Sequence, residues 1–141
     1  MATGPNFTLL TDLYQLTMAQ AYFHERRMGH STFSLFIRSY PPNRGYFVAA
    51  GLQDVLDYLE GFTFESGAID FLAGQKLFSN DFLKYLSGLR FTGQVWAMPE
   101  GRIFFTDEPL LEVTAPIIEA QIAETFIICL LYTSPSPRDT R

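Results

Sequence analysis

The 141-residue chain predicts an α+β fold: an N-terminal helix, a mainly antiparallel sheet, and flanking helices. Three observations carry this expectation. Between Thr11 and Arg27 the apolar side chains recur at the helical period, while Thr32 to Arg38 alternate at the period of a strand. From Gln94 to Thr114 strand-like runs are separated by two proline-containing turns, and a further helical stretch follows.

Taken in order, Met1 to Phe7 is a polar lead containing Gly4-Pro5 and is expected to be loose. The first helix is expected from Thr11 to Arg26 or Arg27. Thr11 is placed to accept from a first-turn N–H, and Asp12 sets negative charge at the positive end of the helix dipole. Tyr14, Met18, Ala21 and Tyr22 form an apolar stripe at i, i+4, i+7 and i+8, with Leu13, Leu16, Gln20 and Phe23 beside it. In the following strand Phe33, Leu35 and Ile37 alternate against Ser34, Phe36 and Arg38. Pro41 to Gly45 is a loop, Tyr46 to Ala50 a short strand, and Leu52 to Glu60 a helix with Leu52, Val55, Leu56 and Leu59 on its core face. Helices are also expected over Glu65 to Ala73 and Asn80 to Leu86. Three strands, Gln94 to Met98, Arg102 to Phe105 and Leu110 to Thr114, then read as a small antiparallel meander. Pro116 suits the first turn of a last helix with Ile118, Ile122, Thr125, Phe126 and Cys129 on one side.

Composition narrows the class of function. A hydrophobic share of 48% and an aromatic share of 16% are those of a globular core. The formal charge of −5 argues against a nucleic-acid partner, and phosphate ligands would need local donors against a repelling overall field. Cys129 is the one cysteine, so an internal disulfide is impossible. The N-terminus lacks a basic start followed by an apolar run, and the longest apolar run, Phe126 to Tyr132, is too short to span a bilayer. The expected location is the cytoplasm, with no membrane partner.

Individual polar residues give little chemistry by themselves. His24 and His30 lack metal-ligand spacing and read as surface or loop histidines; Cys129 reads as core; Arg38 reads as an ion-pair member before a phosphate ligand. Glu100 lies in a turn. Glu119 and Glu124, five residues apart, are too loosely spaced for an acid–base pair. Gly51-Leu52 opens a helix, which alone is weak ground for an anion site.

The run Leu10-Thr11-Asp12-Leu13-Tyr14-Gln15-Leu16-Thr17-Met18 closely resembles the opening helix of nicotinate phosphoribosyltransferase. The likeness continues, in the family's order, at Phe36-Ile37-Arg38, Val48-Ala49-Ala50-Gly51-Leu52, Met98-Pro99-Glu100-Gly101, Glu108-Pro109-Leu110-Leu111, Glu119-Ala120-Gln121 and Glu124-Thr125. It implies the N-terminal domain of a type II phosphoribosyltransferase, without its barrel. Residues 1–115 would form the α+β domain and 116–131 a helix leading to the barrel. Residues 132–141 depart from the family and read as adapter-derived sequence, with a natural disordered tail as the alternative.

By the same resemblance, the full-length enzyme makes nicotinate mononucleotide from nicotinate and phosphoribosyl pyrophosphate, coupled to ATP hydrolysis through a phosphohistidine that neither His24 nor His30 matches. It uses ATP and Mg²⁺, neither bound by this fragment alone, and works as a homodimer. Tyr14 is the position implied to hold the nicotinate ring in the partner subunit's site; no catalytic residue falls in the fragment. The fragment is expected to be inactive and to expose the faces of Tyr14–Phe23 and Ile117–Leu130. A sister enzyme acting on nicotinamide or another pyridine carboxylate, and a non-catalytic dimerisation or pyridine-binding module, remain the alternatives.

Overall fold

The computed structural model describes residues 7–133. The elements are α1 (Leu13–His24), β1 (His30–Leu35), β2 (Phe47–Val48), α2 (Leu52–Glu60), α3 (Ser66–Gly74), α4 (Asn80–Gly88), β3 (Gln94–Ala97), β4 (Ile103–Phe104), β5 (Leu111–Pro116) and α5 (Ile117–Thr133). Of the expected loose lead, Met1 to Phe7, Phe7 is described, and its ring meets that of Phe126 with centroids 5.4 Å apart. The rest of that lead, residues 1–6, and most of the expected adapter-derived tail, residues 134–141, lie outside the described residues.

β5 is the axis of the main sheet, which runs β1-β5-β3 with both pairings antiparallel. Its inward residues Leu111, Val113 and Ala115 are buried. On the opposite face, Thr114 shares a hydroxyl hydrogen bond with Thr32, and Glu112 accepts one from the Ser34 hydroxyl. Such cross-strand pairs fix register, because a one-residue slip would turn every buried side chain outward. Gly93 lets β3 approach β5 closely: a Cβ there would lie 2.5 Å from the Ala115 Cβ and 2.6 Å from the Thr114 carbonyl oxygen.

The expected meander is not formed. β4 leaves its sequence neighbours and pairs with β2, Phe47 opposite Phe104, in a separate two-stranded sheet. The physical reason is burial. Phe104 enters a second apolar cluster with Phe47, Ala49 and Leu110, where Tyr40, Phe47 and Phe104 stack in series. Asp107, at φ 64°, turns the chain so that its N–H reaches the Ile37 carbonyl.

α5 packs against α1, α2, β1 and β5. It is covered nearly all round from Ile118 to Ala123, and again at Phe126 and Ile127, as an apolar helix at the centre of a domain must be. The Phe126 ring stacks on Tyr58 with centroids 3.8 Å apart. Pro116 ends β5 rather than starting α5, and the first helical N–H, from Ile117, reaches the Gly29 carbonyl. Cys129 is exposed, not in the core as expected: the burial of α5 ends at Ile127, and Ile128 and Cys129 after it are open.

α1 is also rotated relative to its expected face. Gln15, Leu16 and Ala19 are buried, whereas Tyr14, Met18 and Ala21 of the expected stripe are exposed. Ala19 is fully buried, and Gln15 can be buried because its amide nitrogen and oxygen are both hydrogen-bonded there.

Candidate functional site

The first turn of α1 brings together the residue singled out from sequence and three that were not. Tyr14 is 52% exposed, at the edge of an outward apolar face that includes Leu10, Leu13 and Met18. Beneath it, Gln15 is 1% exposed and faces α5. The Gln15 amide nitrogen donates to the Tyr14 hydroxyl oxygen at 2.8 Å and to the Glu124 carboxylate at 2.9 Å. The Gln15 amide oxygen accepts from the buried Gln121 amide, which also donates to Glu124 at 3.3 Å. Burial of part of the ring raises the Tyr14 pKa above its ordinary value; the negative charges of Glu124 and Asp12 add to this, and the hydrogen bond from Gln15 opposes it.

Thr11 does not cap α1: its hydroxyl donates to the Ile122 carbonyl, tying α1 to α5. Asp12 is the N-cap residue but makes no side-chain cap, and its carboxylate accepts from the Thr125 hydroxyl at 3.4 Å. The helix N-terminus therefore carries its own negative charge, which weakens any pull on a ligand carboxylate.

The remaining candidates take structural places. Glu100 accepts the Leu52 N–H at 2.7 Å and so caps α2, whose N-cap Gly51 has φ 96°. The anion position at that helix start is filled by the protein's own carboxylate. Glu119 is buried and accepts the Thr92 N–H and hydroxyl, far from any acid–base arrangement with Glu124. His24 and His30 are exposed, His24 with its Nε2 3.3 Å from the Ser79 hydroxyl; Arg38 is exposed as well.

A groove between β1, β5 and α5, lined by Phe33, Leu35, Val113, Ile127 and Glu124 among others, has a volume of about 70 Å³. That is well below the ~300 Å³ at which small-molecule pockets begin. Among the described residues no group of three or more His, Cys, Asp or Glu side chains is placed to hold a metal ion. No helix among them is long and apolar enough to cross a membrane. What this surface offers is an aromatic face and an oriented phenol, open to a second surface.

Sequence reasoning found Tyr14, passed over Gln15 and Gln121, and weighed Glu124 only as an acid–base partner of Glu119. Gln15 and Gln121 count as polar in any periodicity, and only their burial exposes the contact between them. Three positions of the family-like wording, Gln15, Gln121 and Glu124, prove to be this one network.

A family model described as the nicotinate phosphoribosyltransferase (NAPRTase) N-terminal domain matches residues 9–132. Nicotinate phosphoribosyltransferase pncB2 of Mycobacterium tuberculosis is 52% identical over 120 residues, which cover 85% of this chain and 26% of that protein. The Bacillus subtilis nicotinate phosphoribosyltransferase is 40% identical over 127 residues, 87% of this chain and 25% of that protein. The crystal structure of human nicotinic acid phosphoribosyltransferase superposes with a TM-score of 0.77 at 35% identity, covering 86% of this chain and 25% of that one. The chain thus spans about a quarter of the length of the curated relatives it matches. With its α+β architecture and this agreement along nearly its whole described length, the chain belongs to the nicotinate phosphoribosyltransferase family.

Proposed function

We propose that this chain is the N-terminal part of an enzyme that moves the phosphoribosyl group of phosphoribosyl pyrophosphate onto the ring nitrogen of nicotinate. The products are nicotinate mononucleotide and pyrophosphate, and ATP hydrolysis is coupled to the transfer. The enzyme serves NAD salvage in the cytoplasm as a homodimer, and Mg²⁺ and ATP bind to parts of it beyond this chain. Tyr14 lies against nicotinate in the partner subunit's site. The observation that carries this reading is the exposed Tyr14 ring in a family-matched segment. An aromatic side chain held outward by its own domain is suited to cover a flat pyridine ring held by another.

The test uses a full-length protein bearing this N-terminal sequence. Tyr14→Ala raises the KM for nicotinate about twofold to twelvefold, from about 0.5–1.5 kcal/mol of lost aromatic contact, and leaves the KM for phosphoribosyl pyrophosphate nearly unchanged. Because the ring is half exposed, truncation leaves stability close to that of the parent, unlike the loss of a core aromatic. Mixing Tyr14→Ala subunits with subunits inactivated in the barrel restores part of the activity, since the inactive subunit lends its Tyr14 to the live barrel. An unchanged nicotinate KM overturns the contact, and no recovery in verified heterodimers overturns the cross-subunit placement.

A further inference from the structure

We infer that Glu124 sets the direction of a hydrogen-bond chain through Gln15 that leaves the Tyr14 hydroxyl to donate to a carboxylate oxygen of bound nicotinate, making Glu124, Gln15 and Gln121 positioning residues for the substrate. This rests on the reading that Tyr14 meets nicotinate. An ionised carboxylate only accepts, so both amides that meet Glu124 must present their nitrogens to it. With the Gln15 nitrogen fixed toward Glu124, its second N–H points at the Tyr14 oxygen, and its own oxygen is left to receive the Gln121 amide. Both N–H donors of the Gln15 amide are then used, and its oxygen holds a donor of its own. The flipped amide would set its oxygen against the Glu124 carboxylate and leave the Gln121 amide facing an NH₂ group, so it is disfavoured twice over.

The consequence falls on the phenol. A hydroxyl has one proton and accepts through its lone pairs. Tyr14 takes a hydrogen bond from Gln15 on the protein side, and its own proton is therefore available on the exposed side. The titratable groups bearing on it are Glu124 and Asp12, both of which raise its pKa, so at neutral pH the phenol keeps that proton. A neutral donor aimed outward suits a carboxylate acceptor. An outward lone pair would repel one.

Two experiments test this, one on the 141-residue chain and one on a full-length protein bearing it. In the chain, Tyr ring carbons labelled for NMR, with Tyr14 assigned by Tyr14→Phe, report the Tyr14 titration. Glu124→Gln lowers its midpoint and leaves those of Tyr58 and Tyr85 in place; no movement overturns the contact between Glu124 and the chain. In the full-length protein, Tyr14→Phe and Glu124→Gln each raise the nicotinate KM by about threefold to tenfold, the loss of one hydrogen bond, with the phosphoribosyl pyrophosphate KM within about twofold. The double variant is no worse than Tyr14→Phe alone, because Glu124 acts through a hydroxyl that is already gone. Additive losses, or losses in the KM of the other substrate, overturn the positioning role. If Glu124→Gln does not fold, Glu124→Asp, which shortens the reach by one methylene, carries the same comparison. A Tyr14→Phe variant indistinguishable from the parent overturns the donor assignment and spares the proposed function, which fails only with Tyr14→Ala.

Discussion

Tyr58 shows what a single buried atom does to this domain. Its ring packs between Phe62 and Phe126, yet its hydroxyl is buried with no hydrogen-bond partner among the described residues. Such a group loses its water without replacement, at about 1–3 kcal/mol. Tyr58→Phe keeps the ring and removes the orphan, so the unfolding free energy is expected to rise by up to about that amount, read as a higher urea midpoint. Burial also pushes the Tyr58 pKa well above its ordinary value of 10.0. The unfolded chain therefore loses this proton first as pH rises. The contribution of a protonated Tyr58 is complete below pH 10 and is lost as pH climbs toward the folded-state pKa. Tyr58→Phe should flatten that alkaline decline, and an unchanged slope of stability against pH above 10 would contradict it. Sequence pattern could not single out Tyr58, because it lies beside the Leu52–Val55–Leu56–Leu59 row and its burial depends on where Phe126 comes to rest.

Among the elements, α2 and the turn before β4 are locked as a pair. Glu100 caps α2 through the Leu52 N–H, while the Gly101 N–H reaches the Ala49 carbonyl and the Ala49 N–H reaches the Arg102 carbonyl. Two stretches of family-like wording, Ala49 to Leu52 and Met98 to Gly101, thus form one joint. Glu100→Ala removes an N-terminal cap and its favourable charge, and is expected to cost about 1 kcal/mol. Glu100→Gln, which keeps the acceptor, should recover part of this, and equal urea midpoints for all three proteins would show that the cap contributes nothing.

The bounds of α2 were legible in its sequence because one helix face and its flanking glycines all agree. β1 was legible through the alternation of Phe33 and Leu35, although it starts at His30 and ends before Ile37. The face of α1 was not, since Gln15 carries the polarity of a surface residue and the burial of a core one. The partner of β4 was not legible either: the choice between β3 and β2 depends on a Phe47–Phe104 contact that no local pattern records.

At the scale of the whole molecule, apolar surface remains uncovered at two clusters among the described residues. One is the outward face of α1, with Leu10, Leu13, Tyr14 and Met18; the other is the outer face of the small sheet, with Tyr46, Val48, Ile103 and Phe105. The expectation that α5 would also lie open fails over most of its length, because its own chain encloses it. Exposed surface of this kind favours association. The 141-residue chain is expected to bind a hydrophobic dye, to self-associate with concentration, and to form no mononucleotide from nicotinate and phosphoribosyl pyrophosphate. A monodisperse monomer that leaves the dye dark would refute the first two, and product formed by the pure chain would refute the third.

The central strand of the main sheet has a further consequence, one that concerns time. β5 joins β1 to β3, yet it emerges from the ribosome long after β1: Thr32 waits for Thr114, 82 residues later. At ~5–20 residues per second that interval is roughly 4–16 s. Throughout it β1 has no ladder partner, α1 has no α5 to lie against, and Phe33 and Leu35 stand open to water. Hairpins close in microseconds, so the slow event in the birth of this domain is translation itself. The nascent chain therefore invites a holding chaperone at β1, and codon changes that slow synthesis between Leu35 and Leu111 lengthen its exposure to aggregation without altering a single atom of the finished fold.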